Sequence, residues 1–465
     1  MNGSEQRGSG NPGSTAREPT GPKGNLLMGV LPQVRRDVLG FLSETSRVHG
    51  PVARYRLGPI QSYLVTHPDG VKRILQDNVA NYTKDHLSYG MVRWLVGNGL
   101  IASQGDFWLR QRRLAQPAFH RQRIGAMVGL MTQATNELLE RWEAVATQGQ
   151  PLRVGPEMMG LTLRIVGDAL FGTNVAEKTA VVGQSFDVIN EQVVDRFRTF
   201  NIIPPVLPTR SDRTFRHSIK SLRGVVQDIV TERRRSGEDR GDLLSMFMLA
   251  RDEETGAQMN DEQLCDEAVT MLIAGHETTA TTLSWIWALL HQYPEVEARL
   301  HAEVDEVLAG RTPTLEDLPR LPYAKMVVEE SLRLYPPAYI LSRKVREDDE
   351  LCGFRIRGGA SVDISPYVTQ RLPEFWEEPE QFRPERFTPE QVAQRPRFAY
   401  FPFIAGPRQC IGNTFALMEA QLITACISQR FRLRMVSGYT PTPEPLITLR
   451  PKGGLPMQLE RRRAH

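Results

Sequence analysis

The sequence predicts a mainly helical chain with a small β region, and three patterns predict it. One helical pattern runs from Asn260 to His291; Asn260 and Gln263 have the spacing of a capping box at its start, and Pro294 opens the next helix. Further helical periodicities fill residues 124–200, and another helix reaches Arg235 after the breakers Pro204, Pro205 and Pro208. The β content is short. Apolar and polar residues alternate between Pro51 and Val65 around Gly58-Pro59, as in a hairpin, while Leu341–Val345, Phe354–Arg357 and Ser361–Ile364 are brief runs separated by Gly353 and Gly358-Gly359.

With 465 residues the chain can bury a large core. Charged residues at 24% and hydrophobic ones at 40% describe an ordinary soluble globule. Against 57 Lys and Arg stand 54 Asp and Glu, and the net +3 gives no argument for a nucleic-acid partner. Cys265, Cys352, Cys410 and Cys426 lack paired spacing, so neither a zinc site nor a disulfide framework is expected, and a reducing compartment follows. Met1–Lys23 is rich in Gly, Ser, Pro and Thr without an apolar core, which reads as a disordered tail over residues 1–24 ahead of one unit over 25–465. The apolar patch Leu26–Leu31 is far below the ~20 residues of a spanning helix, so no membrane anchor is expected.

Within the long helix sits Ala274-Gly275-His276-Glu277-Thr278-Thr279. At about 32 residues and ~1.5 Å per residue this helix spans roughly 48 Å, enough to cross the molecule. An interior glycine costs a helix about 1 kcal/mol, and a glutamate among apolar residues demands partners. Gly275 serves close helix packing, and the threonines bend the helix by bonding back onto it, or the bend opens a groove that holds water; the residues alone allow both. Ala274 and Thr278, four apart, share one face.

The stretch around which the chain is organised is Phe403-Ile404-Ala405-Gly406-Pro407-Arg408-Gln409-Cys410-Ile411-Gly412, followed by the helix formers Ala416–Leu422. A cysteine at the mouth of a helix, near an arginine, is expected to have a lowered thiol pKa, suiting a nucleophile or a metal ligand. Gly406 and Gly412 let backbone pass close to a flat object, and Arg408 can pair with a carboxylate of that object. Phe-x-x-Gly-x-Arg-x-Cys-x-Gly resembles the haem-binding loop of the cytochromes P-450, the haem-thiolate monooxygenases. One departure is that many members place another glycine where this chain has Ile404 and Ala405.

The resemblance extends over most of the chain. Trp108 and Arg112 match a Trp-x-x-x-Arg whose members bind a haem propionate, on a helix that Asp106 can cap; Arg110, Arg113, Arg121 and Arg123 nearby fit an acidic electron-transfer partner. Ala274–Thr279 matches the oxygen-side motif, implying that Thr278 and Glu277 pass protons. Glu330-Ser331-Leu332-Arg333 followed by Pro384-Glu385-Arg386-Phe387 implies a buried ion-paired lock. Arg343 corresponds to a strand arginine that reaches a propionate. The segment Tyr82–Ser103 corresponds to the loop covering the substrate, residues near Pro204–Pro208 to a mobile lid, and Pro445–Thr448 to the last pocket turn.

The resemblance therefore implies a triangular helical unit enclosing haem b (iron protoporphyrin IX), with Cys410 as iron ligand and Trp108, Arg112, Ala274, Arg343, Phe403, Gly406, Arg408 and Gly412 around the cofactor. It implies monooxygenation of a lipophilic small molecule (fatty acid, terpenoid or polyketide-like) by O₂, with electrons from a ferredoxin or flavodoxin and its reductase. Ile101, Ala274, Ala338, Ile340 and Leu446 are the expected apolar lining. The rivals are a haem-thiolate peroxygenase or isomerase, a haem-based sensor or carrier, and a cysteine hydrolase built on Cys410.

Overall fold

The computed structural model describes residues 16–172, 185, 188–189, 191–192 and 209–462. Helices dominate, as expected. Those that frame the site are α1 (Leu87–Val96), α2 (Gly105–Ala115), α3 (Val128–Gln148), α4 (Val154–Phe171), α5 (Arg210–Ser236), α6 (Asp261–Gln292), α7 (Pro322–Leu334) and α8 (Asn413–Arg430). Among the described residues no helix is long and apolar enough to cross a membrane.

The central helix α6 begins as predicted. Asn260 Oδ1 accepts from Gln263 N at 2.8 Å, and Gln263 Oε1 accepts from Asn260 N at 3.0 Å. Its 32 residues are buried over most of the circumference, the mark of a helix at the centre of a core rather than on its surface. Gly275 is required by packing: a Cβ there would stand 2.9 Å from Val166 Cγ2 of α4. α4 also gives a hydrogen bond to α6, from Thr162 Oγ1 to His276 O at 2.9 Å. The hydroxyls of Thr270, Thr278 and Thr282 donate back to the carbonyls of Asp266, Ala274 and Thr278, which satisfies them inside an apolar helix.

Five strands form the larger sheet in the order β1-β2-β5-β4-β3: β1 (Val52–Leu57), β2 (Ile60–Val65), β3 (Tyr82–Thr83), β4 (Leu341–Val345) and β5 (Ser361–Ile364). β1 and β2 are the predicted hairpin, β2 runs parallel to β5, and β4 antiparallel to β5 sets Arg343 opposite Val362. Phe354–Ile356 is a strand one residue shorter than expected, paired with Asp349–Leu351. A hairpin of Pro443–Pro445 and Leu449–Pro451 lies against α6, where Trp285 Nε1 donates to Leu449 O at 2.7 Å.

Three local expectations are corrected. Asp106 lies in the first turn of α2 rather than at its cap; Gln104 occupies the cap and gives no side-chain bond, so Asp106 acts only on the helix dipole. The segment Tyr82–Ser103, expected as a loop, holds helix α1 in its middle. The tail boundary at residue 24 falls too late: Arg17 N donates to Gly353 O, Arg355 N to Arg17 O, and Arg54 N to Thr20 O, so residues 17–20 are held along strand edges. Backbone bonding at a sheet edge needs no apolar side chains, so composition did not register it. Residues 1–15 and the lid expected near Pro204–Pro208 lie outside the described residues.

The Glu-x-x-Arg motif forms the expected lock. Arg333 makes a two-pronged pair with Glu330 at 2.7 and 2.8 Å, and its remaining donors reach the carbonyls of Gln370, Pro379 and Gln381. Arg386 Nε stands 3.3 Å from Glu330 Oε1. All three side chains are buried, and the Arg333 guanidinium lies over the Trp376 ring at 4.9 Å.

Candidate cofactor and substrate cavity

Between α6 and the start of α8 lies a cavity of ≈ 330 Å³. Its walls bring together nine of the eleven predicted site residues: Trp108, Arg112, Ala274, Thr278, Arg343, Phe403, Arg408, Cys410 and Gly412. Glu277 and Gly406 are the two left out.

The cysteine loop is shaped by backbone bonds before any ligand is considered. Ile404 N donates to Phe401 O at 3.0 Å, Gln409 N to Gly406 O at 3.1 Å and Cys410 N to Phe403 O at 2.9 Å. Gly406 takes φ +69, and a Cβ on it would lie 1.9 Å from Leu75 O. Its absent side chain therefore makes room for the neighbouring backbone and not for a flat ligand, contrary to expectation. Gly412 behaves as expected: the nearest atom to a Cβ there is Phe119 Cε1 at 3.9 Å, leaving its face open to the cavity. Ile404, where relatives of the loop motif often carry glycine, adopts φ 60, a left-handed backbone that a β-branched residue enters only with strain.

Cys410 opens into the cavity and is enclosed by protein on its other sides. Burial pushes its thiol up, with the Gly412 N–H and the Arg112 guanidinium working against that. The sequence reading expected the reverse. Helix and arginine do favour the thiolate, but desolvation outweighs them here, and a bound cation is what would release the proton.

Among the described residues four cations face this mostly apolar space: Lys84, Arg112, Arg343 and Arg408. No aspartate or glutamate among the described residues lines it. Arg112 Nη1 donates to Gln409 O at 2.8 Å, Arg343 Nη1 to Tyr89 OH at 2.7 Å, Arg408 Nη1 to Ser103 O at 3.0 Å and Lys84 Nζ to Ile101 O at 2.6 Å. Arg408 also stacks on Trp108, its guanidinium carbon 3.6 Å from the ring centroid. Burial, reinforced by neighbouring arginines, lowers Arg408 to about 10 and Lys84 well below the usual lysine range. Lys84 and Tyr89 were not found from sequence; both come from a segment with no motif, and no signal marks them.

On α6, Ala274 and Thr278 share the cavity face as predicted, and Thr279 joins them. Thr278 Oγ1 donates to Ala274 O at 2.7 Å, leaving its lone pairs free. Glu277 points elsewhere. Its Oε1 accepts from Thr448 Oγ1 at 2.9 Å, and burial raises its carboxyl although Thr448 and Arg450 lower it. Of the expected apolar lining, Ile101, Ala274 and Ala338 are present, whereas Ile340 and Leu446 are packed elsewhere.

The residues fit a haem. Uncompensated buried cations call for an anion, and the apolar walls call for an apolar body carrying it. Among the described residues no group of three or more His, Cys, Asp or Glu is gathered for a metal, so a metal held by Cys410 must bring its other ligands with it.

Comparison with known proteins points the same way. The cytochrome P-450 family profile matches residues 19–456. The chain is 38% identical over 422 residues to cyclooctat-9-en-7-ol 5-monooxygenase of Streptomyces melanosporofaciens, covering 90% of each protein. It is 34% identical over 432 residues to pentalenene oxygenase of Streptomyces avermitilis, covering 92% of this chain and 94% of that one. The crystal structure of the cytochrome P-450DA heme domain superimposes with a TM-score of 0.88 at 28% identity, over 97% of this chain and 98% of that one. A thiol loop, an uncompensated cation cluster and an oxygen-side helix, in a chain matched almost end to end, place this protein in the cytochrome P-450 family, as one of its monooxygenases.

Proposed function

We propose that this chain, as one unit that takes in the bonded residues 17–20, holds haem b with Cys410 as iron ligand and inserts one oxygen atom from O₂ into a terpenoid-like lipophile. The observation that carries the reading is the joint lining of one cavity by Cys410, the cation cluster and the Ala274–Thr279 face of α6. Bound haem iron with a thiolate ligand supplies the chemistry that splits dioxygen. The protein's own part is to hold, orient and supply protons.

Arg112, Arg343, Arg408 and Trp108 would hold the cofactor's carboxylates, with Lys84 added to the set. Phe403, Ala274 and the open face of Gly412 would flank its ring. Thr278, whose proton is already given to Ala274 O, offers lone pairs to the cavity and holds a proton-bearing group there at Oγ1. Glu277 retains its proton to higher pH than an exposed glutamate, because burial disfavours the anion. Delivering that proton requires its carboxyl to leave Thr448. The terpenoid class is supported by the two Streptomyces relatives and by the apolar walls. Electrons would come from a ferredoxin or flavodoxin with its reductase, in the cytoplasm. Exposed Arg121 and Arg123 remain available to such a partner, whereas Arg113 is engaged by Asp252 and Glu254.

The test is a reduced, carbon-monoxide-bound spectrum followed by product analysis under ¹⁸O₂. A thiolate-type spectrum with labelled alcohol supports the reading. Product formed only when peroxide is supplied would favour the peroxygenase alternative, and ligand binding without any oxygenated product would favour the sensor. In Thr278→Ala, haem content should hold while product per electron falls roughly tenfold or more and peroxide is released; a fully coupled variant removes Thr278 from proton handling.

A further inference from the structure

The loop 97–103 walls one side of the cavity, with Leu100 and Ile101 in the lining. Its backbone is gripped from two directions. Asp266 and Glu267, neighbours on α6, take its amides: Asn98 N donates to Asp266 Oδ2 at 2.7 Å, and Leu100 N to Glu267 Oε2 at 3.1 Å. Lys84 and Arg408 take its carbonyls, at Ile101 and Ser103. Arg223 of α5 backs the first acid, donating to Asp266 Oδ1 at 2.6 Å. Contact is close enough to leave no room for side chains: a Cβ on Gly97 would stand 2.1 Å from Asp266 Oδ1, and one on Gly99 2.1 Å from Thr270 Oγ1.

Two carboxyls inside the central helix are costly, and the oxygen chemistry uses neither. Among the described residues no cation stands beside Glu267; burial pushes its carboxyl up to about 8, so near neutral pH it serves Leu100 N as an uncharged acceptor. Backbone amides of the cavity wall are what both acids serve.

We propose that Asp266 and Glu267 form a latch fixing where Leu100 and Ile101 stand, which makes them positioning residues for substrate selection. This rests on the substrate-cavity reading above. Since Lys84 and Arg408 hold the same loop and also face the cavity, the wall that meets the substrate is joined to the cradle that meets the cofactor's carboxylates.

Three variants of the haem-loaded full chain test it. Glu267→Ala removes the acceptor, Glu267→Gln keeps one of the same shape, and Gly99→Ala pushes the loop off Thr270 with both acids intact. The readouts are amide exchange over 97–103 and the ratio of Kd for pentalenene, a compact probe, to that for farnesol, an extended one, followed by the haem spin-state shift. In Glu267→Ala and Gly99→Ala, loop exchange should rise at least about tenfold and the Kd ratio change at least about threefold, with the carbon-monoxide spectrum unaltered. Glu267→Gln should track the wild type. Exchange and Kd ratio within about twofold of wild type in both disruptive variants would overturn the latch, as would Glu267→Gln behaving like Glu267→Ala. If Glu267→Ala unfolds, exchange rises along the whole chain and Gly99→Ala decides alone. A wild type without a thiolate spectrum sinks the proposed function, whereas the exchange comparison needs no haem and still decides the latch.

Discussion

Two of the regions that bury arginine balance its charge differently. In the Glu330–Arg333–Arg386 lock every charge meets a counter-charge or a carbonyl inside the protein, and Glu330 alone is shared by both arginines and by the Arg383 amide. Around the cavity the four cations among the described residues find only neutral acceptors, and burial holds three of them, Lys84, Arg112 and Arg408, below their ordinary pKa, with mutual repulsion adding to it at Lys84 and Arg408. The first cluster is complete and therefore structural. The second is incomplete, and the missing anion is its function.

The largest effect should come from breaking the complete cluster. Glu330→Ala leaves two buried guanidiniums facing each other without their anion, and its expected cost is about 3–5 kcal/mol of folding free energy, with loss of haem retention. Urea unfolding of the apoprotein measures it; a loss below about 1 kcal/mol would mean that the carbonyls around Arg333 suffice without the carboxylate.

The incomplete cluster should respond with the opposite sign. Arg343→Leu removes a like charge, so the apoprotein should be unchanged or slightly more stable, while haem affinity falls roughly ten- to a hundredfold, the value of one hydrogen bond between charged groups. Titrating haem into both variants separates the clusters: equal losses of apoprotein stability would erase the distinction.

A pH series sharpens it further. The folded value of Lys84 lies below its unfolded value, so between the two the unfolded chain binds more protons and apoprotein stability rises with pH, up to about 10.5. Lys84→Met should flatten that rise, and haem carboxylates should diminish it by favouring the charged form. Urea midpoints from about pH 7 to about pH 10 check this; parallel curves for the two apoproteins would take Lys84 out of the cluster.

What the sequence disclosed follows from which constraints are local. The capping box of α6 and the β1–β2 hairpin are each set by residues a few positions apart, and each formed as read. Lys84 and Tyr89 join Arg343 and Arg408 only because the chain folds back across more than 200 intervening positions, and no spacing records that. Glu277 was legible as a buried acid but not in its direction. Residues one apart on a helix diverge by about 100°, so with Ala274 and Thr278 on the cavity face Glu277 must look to one side, where it meets Thr448. Gly406 shows the same limit: its glycine was readable, but the neighbour that demands it, Leu75, was not.

The cysteine loop supplies the smallest predicted effect. Gly406 and Ile404 both sit at positive φ, and Gly406 has the backbone of Leu75 pressed against it. Gly406→Ala must displace the carbonyl of Leu75 and should destabilise the protein by several kcal/mol, about 3 or more. Ile404→Gly relieves about 1–3 kcal/mol of backbone strain. Against that, it surrenders roughly 1 kcal/mol of half-buried side-chain contact with the sheet core and about 0.5–1 kcal/mol to the freedom of the unfolded chain. These terms nearly cancel, so the urea midpoint should shift by the equivalent of less than about 1 kcal/mol. A loss above about 2 kcal/mol would show that the Ile404 side chain, and not the loop's backbone bonds, holds Cys410 in place.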